Sequence, residues 1–167
     1  MTAPETTAAL ATAIEAEKQS LRSYLALAWE THDTSGKQMF VRLATDEFEH
    51  MRLLETWLGD RRPPAVVETS IIERLVPRLS DKSLQIRGTE GQNQMSALQA
   101  ALDLERSARA FYEEQGRKTQ DGPSRAIFVR LTEMETAHYA LIQAETDNIQ
   151  QTGFWFGLRE FTLESER

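Results

Sequence analysis

The chain contains no cysteine. That excludes disulfides, thiolate metal sites and iron–sulfur clusters, so a metal held here must take carboxylate and imidazole ligands. No stretch approaches the ~20 apolar residues that a membrane-spanning helix needs. The start, Met1-Thr2-Ala3-Pro4-Glu5, lacks a basic region followed by an apolar run, so no signal peptide is expected. A cytoplasmic protein is the default expectation, and the missing cysteines agree with it. Basic residues are outnumbered, 19 Lys and Arg to 26 Asp and Glu: the formal net charge is -7, against the basic face that nucleic-acid binding requires. What remains, 40% hydrophobic and 27% charged residues over 167 positions, suits one soluble domain with a core of its own.

The chain repeats itself at an offset of 88 residues, without a gap. The offset relates Glu17 to Glu105, Tyr24 to Tyr112, Asp33 to Asp121, Phe40-Val41-Arg42-Leu43 to Phe128-Val129-Arg130-Leu131, and Glu47/His50 to Glu135/His138. Each half therefore holds a lone Glu followed, about thirty residues later, by a Glu and a His one helical turn apart.

The hydrophobic pattern places these residues on helices. Leu10, Ile14, Glu17, Leu21, Tyr24 and Ala28 alternate steps of four and three, as the seam of a bundle does. Thr2 is the expected cap of this first helix, with Glu5 three residues on. After a break at His32 to Gly36, Phe40, Leu43, Glu47, His50, Leu54 and Trp57 continue the alternation up to Gly59. A third helix carries Leu98, Leu102, Glu105, Arg109 and Tyr112. Asp121-Gly122-Pro123 makes the next turn, and a fourth helix carries Phe128, Leu131, Glu135, His138 and Ile142 before fading near Gly153. Short connections make each pair an antiparallel hairpin. Residues 60–91 contain Pro63, Pro64, Pro77 and a weakly amphipathic piece around Ile71 to Val76, and read as a crossover long enough to return along helices of roughly 40 Å. The expected fold is all-α: an antiparallel four-helix bundle of two duplicated hairpins over residues 1–152. An aromatic tail, residues 153–167, packs on the bundle or on a partner.

Glu17, Glu47, His50, Glu105, Glu135 and His138 all fall on the seam, where an ionised group is costly unless it is paired, protonated or bound to metal. Four carboxylates at one depth repel each other, and two imidazoles cannot balance them. Two divalent cations can, and neutral imidazoles then complete the coordination. One Glu-x-x-His is a weak signal; two in register, each with a matching Glu on the preceding helix, make a strong one. Asp46, Glu49 and Glu133 are off the seam and read as solvated surface. His32 reads as a helix-end residue, and Met39, Met51 and Met95 as gap-fillers in the core or at an interface.

The segments Glu17 to Tyr24 and Phe40 to His50, with their echoes at Glu105 to Tyr112 and Phe128 to His138, resemble the ferritin-like di-iron proteins, in particular the rubrerythrin branch. The resemblance covers roughly residues 8–150. It implies two iron ions, with manganese or zinc suited to the same donors, Glu17 and Glu105 as terminal ligands and Glu47 and Glu135 as bridges. His50 and His138 would each bind one ion, and Tyr24 and Tyr112 would hydrogen-bond ligand carboxylates. It further implies reduction of H₂O₂ or O₂, with ferroxidase activity and a metal-stabilised interaction module as the other readings. The bare seam on a four-helix fold makes a homodimer the expected assembly. Two departures stand out. Without cysteine the chain cannot carry the four-cysteine iron site of full-length rubrerythrins, so electrons must come from an external, rubredoxin-like donor. Rubrerythrins also tend to place an extra Glu one turn from the third-helix ligand, where this chain has Leu102 and Ala108.

Overall fold

The computed structural model describes residues 3–59 and 90–156. They form four helices: α1 (Ala3–Glu30), α2 (Thr34–Gly59), α3 (Glu90–Lys118) and α4 (Gly122–Thr152). No strand occurs among the described residues. The expected Thr2 cap and the segment read as a crossover, save its helical end at Glu90, lie outside the described residues.

Both hairpin turns are built from the same parts, again 88 residues apart. Thr31 and Thr119 close the outgoing helices, their amides donating to Leu27 O (3.0 Å) and Gln115 O (2.9 Å) and their hydroxyls to the same carbonyls at 2.7 Å. Asp33 and Asp121 open the incoming ones. The Asp33 carboxylate accepts from the Ser35 and Gly36 amides at 2.8 and 3.0 Å, and Asp121 accepts from the Ser124 amide at 3.1 Å. A carboxylate there satisfies amides that have no partner in the helix and suits the positive end of its dipole. Gly153 ends α4 at φ 81°, a left-handed conformation that glycine adopts without steric cost.

The core falls into two apolar clusters. One joins Leu21, Tyr24 and Leu27 of α1 with Phe40 and Leu43 of α2, Leu98 and Leu102 of α3 and Ile142 of α4. The other joins Leu10 and Ile14 with Met51, Leu54, Tyr112, Phe128 and Leu131. The first half of α2 thus lies with the first half of α3, and the start of α1 with the start of α4, so α2 and α3 run in the same direction. Gly59 and Glu90 stand at opposite ends of the bundle, as two hairpins joined by a long crossover require. Each aliphatic side chain buried here contributes about 1.5–3 kcal/mol. Between the clusters lies the polar layer that this burial must offset.

The repeat departs from itself at the end of the first cluster. Trp155 packs on it, its ring edge-on to Phe40 at a centroid distance of 6.1 Å. Gly36 makes the room: a Cβ there would lie 2.6–2.9 Å from three Trp155 ring atoms. The matching position is Ser124, which is fully buried. Glu145 anchors the same segment by accepting the Phe156 amide at 2.7 Å. Residues 157–167 of the aromatic tail lie outside the described residues. Gly36→Val should therefore expel Trp155 from its seat. In a Trp29→Phe, Trp57→Phe background its fluorescence should shift to the red, and an unchanged emission maximum would contradict the packing.

Candidate metal centre

All six seam residues meet in the layer between the clusters. Glu17 stands between Ile14 and Leu21, Glu47 and His50 between Leu43 and Leu54, Glu105 between Leu102 and Tyr112, and Glu135 and His138 between Leu131 and Ile142. His138 is 8% exposed and the other five no more than 2%. The side chains form two overlapping groups, Glu17, Glu47, His50 and Glu135 in one and Glu47, Glu105, Glu135 and His138 in the other. One donor atom from each residue of a group falls within 4.8 Å of the others. Glu47 and Glu135 belong to both.

The imidazoles face inward through Nδ1. His50 Nδ1 lies 3.5 Å from Glu17, 3.6 Å from Glu47 and 3.2 Å from Glu135. His138 Nδ1 lies 3.2 Å from Glu47, 3.6 Å from Glu105 and 3.4 Å from Glu135. The rings stack across the centre at 5.3 Å. Both Nδ1 atoms and one oxygen of each of Glu17, Glu47, Glu105 and Glu135 are buried without a hydrogen-bond partner. Buried polar atoms rarely stay unsatisfied, and six gathered in one layer suit cations. Carboxylates with imidazoles suit Fe, Mn or Zn. The donor set therefore fits the metal centre that the seam pattern implies.

Two tyrosines brace the layer, and each braces the opposite hairpin. The Tyr24 hydroxyl on α1 donates to Glu105 on α3, and the Tyr112 hydroxyl on α3 donates to Glu17 on α1. The rings are held by equivalent stacks, Tyr24 on Phe40 at 6.3 Å and Tyr112 on Phe128 at 6.4 Å. Burial and the neighbouring carboxylates push both phenols well above their ordinary value, so they remain donors. Tyr24→Phe and Tyr112→Phe should each weaken metal binding by about 10–100-fold, since partners of this kind fix ligand orientation. Titration with Mn(II) followed by electron paramagnetic resonance reads this directly. An unchanged affinity in both variants would leave the tyrosines as plain core aromatics.

Protonation in the absence of metal follows from the crowding. Burial raises Glu17 well above the carboxylate range, helped by the neighbouring Glu47 carboxylate, and raises Glu105 to about 8. Burial would also raise Glu47 and Glu135, but the nearby imidazoles, with Glu17 and Glu105 beside them, hold both low. It would lower the histidines, yet the surrounding carboxylates outweigh it, pushing His50 up to about 12 and His138 well above its usual value. In the metal-free cluster the two imidazoles and Glu17 and Glu105 therefore favour their protonated forms, and Glu47 and Glu135 their ionised ones. Protons balance the charge that two divalent ions would otherwise balance.

Arg109 turns outward, half-exposed, its guanidinium 5.5 Å above the Tyr139 ring and 3.9 Å from Glu113, and it leaves the centre clear. Asp46, expected as solvated surface, is half-buried, and its Oδ2 lies 3.5 Å from the outer nitrogen of His138. Burial would raise Asp46, but His138 and Arg42 hold it below the ordinary value. His32, Glu49 and Glu133 lie exposed, as expected.

A four-helix bundle whose middle layer is two carboxylate–histidine groups sharing two glutamates defines a ferritin-like protein. Solved structures agree on the fold. The chain is similar to a hypothetical protein from Pyrococcus furiosus, with a TM-score of 0.68 and 21% identity over 87% of this chain and 90% of that one. It is also similar to a two-domain protein from Anabaena variabilis containing DJ-1/ThiJ/PfpI-like and ferritin-like domains, with a TM-score of 0.72 and 16% identity over 94% of this chain and 42% of that one. No curated protein matches the chain. The family model for rubrerythrin matches residues 8–145, and the chain belongs to the rubrerythrin family. Among the described residues no helix is long and apolar enough to cross a membrane.

Proposed function

We propose that the six residues hold two iron ions and that the protein reduces H₂O₂ or O₂ with electrons from a separate donor. The observation that carries this reading is the pair of overlapping groups with their unpartnered atoms directed inward. Glu17 and His50 would serve one ion and Glu105 and His138 the other, with Glu47 and Glu135 shared. Bound iron would supply two electrons to a small oxidant, one from each ion. The protein's part is to exclude water, hold the carboxylates in place and keep Tyr24 and Tyr112 as fixed proton-bearing groups beside Glu105 and Glu17. Burial midway along the helices favours a small oxidant over a bulky polar substrate. With no cysteine in the chain, a rubredoxin-like partner is the proposed donor.

Anaerobic reconstitution with Fe(II), followed by H₂O₂ and O₂ in separate reactions, tests the proposal. Two irons per chain, oxidised far faster by peroxide and re-reduced by an added rubredoxin, are the expected outcome. Fast oxidation by O₂ with release of mineralised iron would replace it with iron handling. Failure to bind iron, with zinc bound inertly, would leave a metal-stabilised interaction module.

A further inference from the structure

The repeat makes the two halves of the centre equivalent in their inward-facing residues, and the structure shows where that equivalence ends. Behind His138, on the side away from the cluster, the Asp46 carboxylate lies 3.5 Å from Nε2. Asp46 is itself held by Arg42, whose Nε lies 3.2 and 3.3 Å from its two oxygens. The residue 88 positions on from Asp46 is Met134, half-buried like its counterpart but with a thioether in place of a carboxylate. Arg42 is matched by Arg130, so the one change removes the carboxylate from the second copy. Among the described residues, the ion pairs of His50 all run through Nδ1.

A carboxylate accepting the outer N–H of an imidazole fixes the ring's tautomer and orientation and makes its other nitrogen a stronger donor. Asp46, 3.5 Å from the outer nitrogen, is the one carboxylate placed to give His138 this support among the described residues. We propose that Asp46 is a positioning residue that makes the two metal positions unequal: the one served by His138 and Glu105 binds more tightly and fills first, the one served by His50 and Glu17 second. The inference rests on the reading of the six residues as metal ligands. It assigns Asp46 no contact with the metal or with any substrate; its effect passes through the His138 ring.

Stepwise titration of the metal-free protein with Co(II), read by visible absorption and calorimetry, tests it. Wild type should bind two ions in two resolved steps, the first about 10–100-fold tighter. Asp46→Asn should weaken the first step by a similar factor and leave the second unchanged. His138→Ala should remove the tight step, whereas His50→Ala should keep it. Met134→Asp, which gives the second half its own carboxylate, should tighten the weaker step. In the cobalt-loaded protein, the exchangeable imidazole N–H of His138, shifted by the paramagnetic ion, should exchange with solvent faster in Asp46→Asn than in wild type. That signature would not move if Asp46 merely helped the fold. Two equal steps in wild type, or equal weakening of both steps in Asp46→Asn, would overturn the inequivalence while leaving the metal centre standing. Failure of wild type to bind cobalt at all would overturn the metal-ligand reading and this inference with it.

Discussion

Loading the metal-free protein with a divalent ion should raise its melting temperature by roughly 15–30 °C. The expectation combines two sites at about a thousand times their dissociation constants, each worth about 4 kcal/mol, with the two to four degrees per kcal/mol typical of a chain this size. Chelation should reverse the rise. Glu47→Ala or Glu135→Ala should abolish nearly all of it, because each of these residues belongs to both groups. Glu17→Ala or Glu105→Ala should remove the share of one ion, since each belongs to one. The increment on adding metal is the quantity to compare: deleting Glu47 also strips the buried imidazolium ions of a counter-charge and destabilises the metal-free form. Differential scanning calorimetry with metal analysis gives both increment and stoichiometry. A variant lacking Glu47 or Glu135 that still binds two ions and keeps the full increment would refute the shared-carboxylate arrangement.

Metal loading should also release close to four protons per chain at neutral pH. Without metal, burial raises Glu17 and Glu105, while the surrounding carboxylates raise His50 and His138 against the burial that would lower them, so all four favour their protonated forms. Two divalent ions take the place of those protons, and the cluster passes from one neutral state to another. The sign follows: acid competes with metal, so loading strengthens as pH rises. The combined affinity for both ions should climb by about four powers of ten per pH unit while all four groups are protonated. The slope should ease near pH 8 as Glu105 loses its proton unaided, while His50, raised to about 12, keeps competing through the alkaline range. Calorimetry in buffers of different ionisation enthalpy counts the protons. A release near zero would mean that the metal-free cluster is already ionised, contrary to its burial.

The fold and the six inward-facing residues were legible in the sequence because both obey one rule. A bundle seam advances by alternating threes and fours, and a glutamate or histidine on that seam is buried wherever its apolar neighbours are. The direct offset of 88 supplied the pairing of halves without any knowledge of the contacts. Asp46 escaped the rule, since it lies one residue, about 100° around the helix, from Glu47. Whether that direction meets water or another helix depends on where α4 sits beside α2, which helical period alone does not state. Glu145 escaped for a similar reason, because its partner is the backbone of the segment after Gly153. The placement of Arg109 was open as well. It sits where Leu21 sits in the first half, and a long side chain in a helix can leave the seam to lie over the ring of Tyr139.

The crossed tyrosines bear on the history of the molecule. Tyr24 of the first hairpin serves Glu105 of the second, and Tyr112 of the second serves Glu17 of the first. His50 likewise faces Glu135, and His138 faces Glu47. Neither hairpin owns a complete set of partners. An unduplicated ancestor would have had a finished centre only where two identical chains met, every residue doing the same task on both sides. Fusion of two such chains into one gene would release each position from serving twice. Leu21 against Arg109, Gly36 against Ser124 and Asp46 against Met134 are positions at which the two hairpins now differ.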